Sequence, residues 1–116
     1  MLFSLIFCFS SFTYLEKRTE YIENNLDECY SLSENNQIYG AKEIYTEILT
    51  YWRRERTILG VFVNGEAFGD FEDSLEILGF SLEKNDTEKA MDAVMDCKEY
   101  LKQIKAKEKL TIESIL

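Results

Sequence analysis

The chain has 116 residues, of which 46% are apolar, and its 13 Lys and Arg against 22 Asp and Glu give a net charge of −9. This length and apolar fraction predict one folded domain. The absence of histidine excludes Ser-His-Asp and Cys-His catalysis and histidine zinc sites within this chain. The acidic balance argues against nucleic-acid binding, because neutralising phosphates needs an excess of Lys and Arg.

Residues 1–15 contain no charged side chain, whereas all charged residues follow them. A helix on the surface of a domain needs a polar face, but a helix in lipid does not. We therefore expect residues 1–15 to be a membrane anchor or signal-like segment and residues 16–116 to form a soluble helical domain. The side chains expected to contact lipid are Leu2, Phe3, Leu5, Ile6, Phe7, Phe9, Phe12 and Tyr14.

The length and flanks of this apolar segment leave alternatives open. Fifteen helical residues span about 22 Å, less than the roughly 30 Å of a hydrocarbon core. The segment fits a signal-peptide core, a longer span of which this is only a part, or a helix buried in a core or an oligomer. The basic residues Lys17 and Arg18 follow it, which weakly disfavours export of the remainder.

Helical periodicity predicts a first helix that continues from the apolar segment to about Asn35, and a second from Tyr39 or Gly40 to Leu59. Val61-Phe62-Val63 is either a last helical turn or a short extended link. The apolar face of the first helix is Leu15, Thr19, Ile22, Leu26 and Cys29. That of the second is Ala41, Ile44, Ile48 and Tyr51, widened by Tyr45, Leu49 and Trp52.

A third helix is predicted over 66–84 and a fourth over 87–105, followed by a short C-terminal helical tail capped by Thr111. Gly69 and Gly79 inside the third helix indicate close approach of a neighbour, and Asn85 is the expected N-cap of the fourth. The apolar face of the third helix is Phe68, Phe71, Leu75, Leu78 and Leu82. That of the fourth is Ala90, Val94, Cys97, Leu101 and Ile104.

Comparison of the chain with itself at an offset of 50 residues matches Gly40 with Ala90 and Ile44 with Val94. In both copies a polar turn containing asparagine separates two helices. We therefore predict an all-α, four-helix fold made of two antiparallel helical hairpins with tetratricopeptide-like packing.

Several segments together resemble a known family. They are the YLEK at 14–17, YWRR at 51–54, FEDSL at 71–75, the Asn85-Asp86 turn followed by Ala90, and EKLTIESIL at 108–116. The chain resembles the uncharacterised Domain-of-Unknown-Function family 4363, short membrane-anchored helical proteins of Firmicutes. This resemblance implies an extracytoplasmic, membrane-tethered domain, against the weak charge signal above, and it brings no known activity.

The three cysteines, Cys8, Cys29 and Cys97, form no CxxC pair. Their spacing weighs against metal and dithiol redox chemistry, and no cofactor is expected. Because Cys29 and Cys97 fall on apolar faces, we interpret them as buried free thiols. A Cys29–Cys97 disulfide is the alternative if the domain is exported.

Trp52, Arg53 and Arg54, together with Arg56, are candidates for binding an anionic headgroup, a phosphate or a partner. The interpretation that we favour is salt bridging to the third helix with Trp52 in the core. The third helix and the start of the fourth are strongly acidic, since residues 66–96 hold ten Asp and Glu against two lysines.

Two further sets of residues are candidate sites. Asp70, Asp73 and Glu76, with Glu72, form an acidic ridge that could bind Ca²⁺ or Mg²⁺, although their spacing is not that of an EF-hand and most such ridges are solvated. Tyr30, Tyr39 and Tyr45 could line a groove between the hairpins that accepts a partner helix. Core packing is the interpretation that we favour for the tyrosines.

These features predict a non-enzymatic, membrane-tethered interaction domain, a scaffold or adaptor that holds a protein partner at the membrane. The alternative is an extracytoplasmic ligand- or cation-sensing domain that uses the acidic ridge. An enzyme is the poorest hypothesis, because it needs a polar pocket with convergent carboxylates. The oligomeric state does not follow from the sequence.

Overall fold

Four α-helices make up the chain in the computed structural model: α1 (Leu2–Glu34), α2 (Ile38–Phe62), α3 (Glu66–Glu83) and α4 (Thr87–Ile115). The structure describes the backbone of residues 2–62 and 66–115 and the side chains of residues 17–56 and 66–106. Within these ranges every regular element is a helix and there is no strand, so the predicted all-α, four-helix class is confirmed.

Two helices continue further than predicted. Gly60 lies inside α2, which ends at Phe62, so Val61 and Phe62 are its last residues rather than an extended link; Val63 lies outside the described residues. The C-terminal tail is not a separate element, because α4 continues through Thr111 to Ile115. No glycine or proline interrupts residues 105–115, and the side chains there are compatible with a helix.

The two hairpins turn on the same local structure. Asn36 and Asn85 adopt left-handed backbone conformations, with φ values of 62° and 57°. The N–H of Asn36 donates to the Ser33 carbonyl at 3.1 Å, and that of Gln37 donates to the Leu32 carbonyl at 2.7 Å. This pair of bonds is a Schellman motif, which satisfies the last carbonyls of a helix.

The second turn repeats these bonds. The N–H of Asn85 donates to the Leu82 carbonyl at 3.1 Å, and that of Asp86 donates to the Ser81 carbonyl at 2.9 Å. Asp86, not Asn85, is the N-cap of α4, since its Oδ1 accepts the Lys89 N–H at 3.1 Å. Asparagine at the left-handed position terminates α3, and the following aspartate starts α4.

The two hairpins are therefore equivalent at an offset of 49 residues rather than 50, as the distance from Asn36 to Asn85 shows. The buried positions of both hairpins follow this offset. The equivalent pairs are Ile22 and Phe71, Leu26 and Leu75, Cys29 and Leu78, Ser33 and Leu82, Ala41 and Ala90, Ile48 and Cys97, Trp52 and Leu101, and Glu55 and Ile104. Matching residue types alone gave the wrong register because several neighbouring positions are similar.

The helices pack as two antiparallel hairpins, α1 with α2 and α3 with α4, as predicted. The hairpins meet along two interfaces, one between α1 and α4 and the other between α2 and α3. The molecule measures 53 × 22 × 20 Å along its principal axes. Because α1 is equivalent to α3 and α2 to α4, these two interfaces occupy equivalent positions, and their differences can be read residue by residue.

The core lies where the four predicted apolar faces meet. Most of the predicted residues are buried, whereas Ile44, Tyr51 and Phe68, and also Tyr45 and Leu49 of the widened α2 face, are half-buried at its margin. The buried apolar residues are Ile22, Leu26, Cys29, Ala41, Ile48, Trp52, Phe71, Leu75, Leu78, Leu82, Ala90, Ala93, Val94, Cys97, Leu101 and Ile104. Leu15 lies outside the described side chains.

The predicted lipid contacts from Leu2 to Tyr14, and Cys8, also lie outside the described side chains, although the backbone of α1 is helical from Leu2 onward. Across the described residues, no helix combines the length and hydropathy needed to cross a bilayer. Membrane attachment through residues 1–15 stays a prediction.

Candidate functional site

The α1–α4 interface is bridged by two ion pairs. Lys105 Nζ lies 3.1 Å from Glu23 Oε1, and Lys98 is paired with Asp27. Tyr30 of α1 is half-buried at the margin of the core, and Val94 of α4 is buried within it. Charged side chains of opposite sign thus face each other along the outer edge of this interface.

The equivalent α2–α3 interface keeps only one of these ion pairs. Arg56 Nε lies 3.1 Å from Glu72 Oε1, in the position equivalent to Lys105 and Glu23. The position equivalent to Lys98 and Asp27 holds Leu49 and Glu76. Among the side chains that the structure describes, Glu76 forms no ion pair.

A groove lies along this interface, made of two cavities of about 480 and 250 Å³ that share Tyr45 and Glu76. One end of the groove lies at Lys42 and Glu83, and the other at Arg56 and Glu72. From α2 the groove is lined by Lys42, Tyr45, Thr46, Leu49, Trp52, Arg53 and Arg56. From α3 it is lined by Glu72, Leu75, Glu76, Gly79, Phe80, Leu82 and Glu83.

Tyr45 crosses the groove and lies on the backbone of α3 at Gly79. A Cβ atom at Gly79 would be 2.6 Å from Tyr45 Cζ and closer still to the hydroxyl. The predicted close approach is therefore confirmed for Gly79 but wrong for Gly69, which has no neighbouring atom within 4 Å of a Cβ position. Burial at this contact raises the pKa of the Tyr45 phenol.

Trp52 is in the core, 2% exposed, with its ring 4.6 Å from Phe71 and 5.0 Å from Phe68 between centroids. Its Nε1–H donates to Glu72 Oε1 at 3.2 Å, next to the ion pair with Arg56. This is the arrangement predicted for Trp52 in the core with a neighbouring arginine paired to the third helix. The buried indole does not face a ligand, such as phosphate, bound at the surface.

Arg53 and Arg54 point to different surfaces. Arg53 is exposed at the rim of the groove. Arg54 lies on the α1 side, where its Nε is 3.4 Å from Glu55 Oε1 and its guanidinium is 5.6 Å from the Tyr51 ring centroid. Trp52, Arg53 and Arg54 therefore do not converge on one ligand.

Of the three tyrosines predicted to line a groove, the described cavities include only Tyr45. Tyr39 is 82% exposed near the start of α2, and Tyr30, on α1, is half-buried against the core. The spacing of tyrosines along the sequence did not distinguish the two sides of the bundle.

The residues of the acidic ridge also lie in different surroundings. Glu72 is paired with Arg56, Glu76 lines the groove, and Asp73 is exposed. Within the described part of the chain, no three or more Asp, Glu or Cys side chains come together in an arrangement that could hold a metal ion. Asp70, Asp73 and Glu76 thus form no common cation site there.

Sequence reasoning did not identify Lys42, Phe80 and Glu83 as residues of the groove, nor the burial of Glu55. The Glu55 carboxylate is 7% exposed and paired with Arg18 across α1 and α2. The offset of 49 residues is the signal in the sequence that could have indicated the groove. It aligns Leu49 with Lys98 and Glu76 with Asp27, so the ion pair of the α1–α4 interface has no equivalent between α2 and α3 at this position.

Cys29 and Cys97 are free, buried thiols. Burial raises the pKa of Cys29 to about 11 and that of Cys97 to about 12. Cys29 Sγ donates to the Ala41 carbonyl at 3.7 Å. Since the thiolate is the reactive form, these thiols are inert at neutral pH.

Comparison with known proteins places this structure in context. The family model described as "Domain of unknown function (DUF4363)" matches residues 9–115, which include all four helices in whole or in part. Neither the curated proteins nor the solved structures gave a match.

Proposed function

The chain belongs to the DUF4363 family of domains of unknown function, and from its α2–α3 groove we propose that it is a non-catalytic, membrane-tethered interaction domain that binds a protein partner there. The observation that carries the proposal is the contrast between equivalent interfaces. Where α1 and α4 pair Lys98 with Asp27, the groove leaves Glu76 without an ion pair among the described residues, and it leaves Phe80 61% exposed. A partner that covers this ring, which the Lys84 ammonium approaches at 5.2 Å, and that pairs with Glu76 gains apolar burial and a charge contact.

The walls of the groove define what a partner must present. The α2 wall carries the basic residues Lys42 and Arg53, and the α3 wall carries the acidic Glu76 and Glu83. Between the walls lie apolar and aromatic side chains such as Tyr45. A fitting partner is an amphipathic helical segment with an apolar face, acidic residues on the side of α2 and basic residues on the side of α3.

The proposed tether is the uncharged segment 1–15, which contacts lipid and places the groove close to the membrane. Its support is the lack of charge together with the uninterrupted backbone of α1 from Leu2 to Glu34, which links the segment to the domain without a flexible joint. We place the domain on the extracytoplasmic side. Protease added to intact cells is then expected to degrade it, and full protection would contradict this topology.

Site-specific photo-crosslinking tests the groove. A benzophenone amino acid at Thr46, exposed at the rim that the groove shares with a cavity on the α1 side, is expected to give a discrete adduct in membranes, and one at Glu83, exposed in the groove alone, is expected to give the same adduct. The matched control is the same amino acid at Glu99, exposed on α4 and absent from the lining. Equal adducts at Thr46 and Glu99, or none at Thr46, would rule out the groove as the binding surface.

Flotation of the full chain with liposomes tests the tether separately. Replacing Ile6 and Phe9 with lysine introduces charges into the apolar segment, and each costs about 2.5–3.5 kcal/mol at mid-bilayer. We expect flotation to be lost in this double variant and kept in a control with Lys102→Glu, an exposed position on α4. Unchanged flotation of the double variant would contradict lipid binding through residues 1–15.

A further inference from the structure

We propose that the partner in the groove is a second copy of this chain, docked face to face about a two-fold axis that runs parallel to α2 and α3. This inference rests on the proposed function, because it names the occupant of the same groove. A partner must carry an apolar face between an acidic and a basic edge, and the α2–α3 surface of the chain itself has that composition.

The positions of the charges along the groove matter for this inference. α2 and α3 are antiparallel, so Lys42 lies at the same level as Glu83 and lines the same cavity. Arg53 is one helical turn beyond Leu49, so it lies between the levels of Glu72 and Glu76 and lines the second cavity with both. The α2 wall of the groove thus carries basic residues near both ends, and the α3 wall carries acidic residues.

Two closed arrangements keep the helices of both copies aligned along the groove. A two-fold axis parallel to the helices places the partner's α2 over α3 and keeps each level, so that the partner's Lys42 faces Glu83 and the partner's Arg53 comes between Glu72 and Glu76. An axis perpendicular to the helices places α2 over the partner's α2, so that basic residues face each other. Charge complementarity selects the parallel axis, and a two-fold interface uses every such contact twice.

The same arrangement covers the exposed aromatic ring. Phe80 lies on α3 at the level of Tyr45 and Thr46, and lines the larger cavity, of about 480 Å³. With α3 over the partner's α2, this ring comes to lie at the partner's Tyr45 and Thr46. Each copy then contributes one aromatic side chain to the cavity of the other, as the apolar anchors of protein interfaces do.

Crosslinking at Thr46 in membranes separates this inference from the proposed function. An adduct of twice the mass of the chain supports both. An adduct of any other mass keeps the groove as a binding surface but overturns the second copy as its occupant. The absence of an adduct overturns both.

Charge exchange tests the geometry. Lys42→Glu and Glu83→Lys each put like charges at two symmetric contacts, and each is expected to weaken self-association of the full chain in non-ionic detergent by about 10–100-fold. Mixing the two variants restores opposite charges at both contacts, so a heterodimer of near wild-type affinity is expected. Sedimentation equilibrium measures all three samples, and circular dichroism checks that each variant is folded.

The two arrangements predict opposite effects of Lys42→Glu on the affinity of self-association. If α2 packed on the partner's α2, Lys42→Glu would tighten self-association and mixing would bring no gain, which would overturn the parallel axis. A wild-type chain that stays monomeric would overturn the inference altogether. Phe80→Ala provides a variant without charge change, expected to weaken the dimer by about 10-fold or more while the exposed position leaves the fold intact.

Discussion

The α1–α4 and α2–α3 interfaces join the same two hairpins at equivalent positions, yet the first is bridged by two ion pairs and the second retains a groove. Eight buried positions are equivalent in the two hairpins, so most of the core does not account for the difference. The residues that flank the core do. They decide whether two packed helices close against each other or leave a surface for another molecule.

Two substitutions between the interfaces have particular weight. Lys98 of α4 corresponds to Leu49 of α2, which leaves Glu76 without the partner that Asp27 has. Val94 corresponds to Tyr45, and the space for the larger ring is provided by Gly79, the counterpart of Tyr30. Exposed ion pairs contribute only about 0–1 kcal/mol each, so the bulk of Tyr45 is the stronger determinant of the spacing of α2 and α3.

The largest effect on stability is expected for a phenylalanine of α3 that faces the core. Phe71 is fully buried against Trp52, and Phe71→Ala should lower the free energy of unfolding by about 3–5 kcal/mol. Phe80→Ala, on the same helix but in the groove, should change it by less than about 0.5 kcal/mol. Urea unfolding followed by circular dichroism measures both, and comparable losses would show that the groove is not an open surface.

A smaller effect is expected at the contact that spaces the helices of the groove. Gly79→Ala adds a methyl group against the far end of the Tyr45 side chain, which must swing aside, so this variant should be less stable than Gly69→Ala by about 1 kcal/mol or more. Gly69→Ala is the matched control on the same helix, where open space predicts a gain of up to about 1 kcal/mol from helix propensity. Tyr45→Leu in the Gly79→Ala background should recover part of the loss. Equal responses of the two glycines would contradict the contact.

Alkaline pH should act on the two buried thiols, Cys29 of α1 and Cys97 of α4. The equivalent residues of the other helices, Leu78 and Ile48, do not titrate. Burial raises the pKa of Cys29 from 9.0 to about 11 and that of Cys97 from 9.0 to about 12, so the unfolded chain loses these protons first. The resulting stability is fully present below about pH 9 and is lost as pH rises through the folded-state values.

As pH rises from about 9 to about 11 the urea midpoint should therefore fall. Replacing both thiols with alanine should flatten this dependence whatever it does to stability at pH 7. A dependence that is as steep in the double variant would assign the effect to other groups.

The smallest effect on stability is expected from exchanging the residues that distinguish the two interfaces. Leu49→Lys places an amine beside Glu76, as Lys98 is beside Asp27, and should change the free energy of unfolding by less than about 1 kcal/mol. A double-mutant cycle with Glu76→Gln should show favourable coupling between the two positions. Lys98→Leu, the reverse exchange, should lose up to about 1 kcal/mol. No coupling in the cycle would mean that Leu49 and Glu76 do not share the position inferred from the offset.

The fold followed from the sequence because helical periodicity identifies a buried face without knowledge of the neighbour. Ile22, Leu26 and Cys29 recur at intervals of four and three residues, and all three are fully buried. The ends of the helices were harder to predict. Thr111 is a good N-cap residue, but with no helix breaker before it α4 continues past it.

The candidate site was only partly predictable. Tyr45, Trp52 and Arg53 were named from the sequence and line the groove, whereas Tyr30, Tyr39 and Arg54 do not. A stripe gives the direction of the core, but the residues beside it can face either adjacent helix, and that choice depends on how the hairpins meet. Lys42, Phe80 and Glu83 come into the site only through this packing.

The two asparagine turns have a consequence for how the chain folds. Each turn brings together helices that are adjacent in sequence, and each hairpin can form from contacts that are local along the chain. Helical hairpins with such local contacts form quickly, and small helical domains reach the native state within about microseconds to milliseconds. Docking of the formed hairpins is then the late step of folding. The α2–α3 interface has the least contact between the hairpins, so we expect it to form last in folding and to separate first in local unfolding.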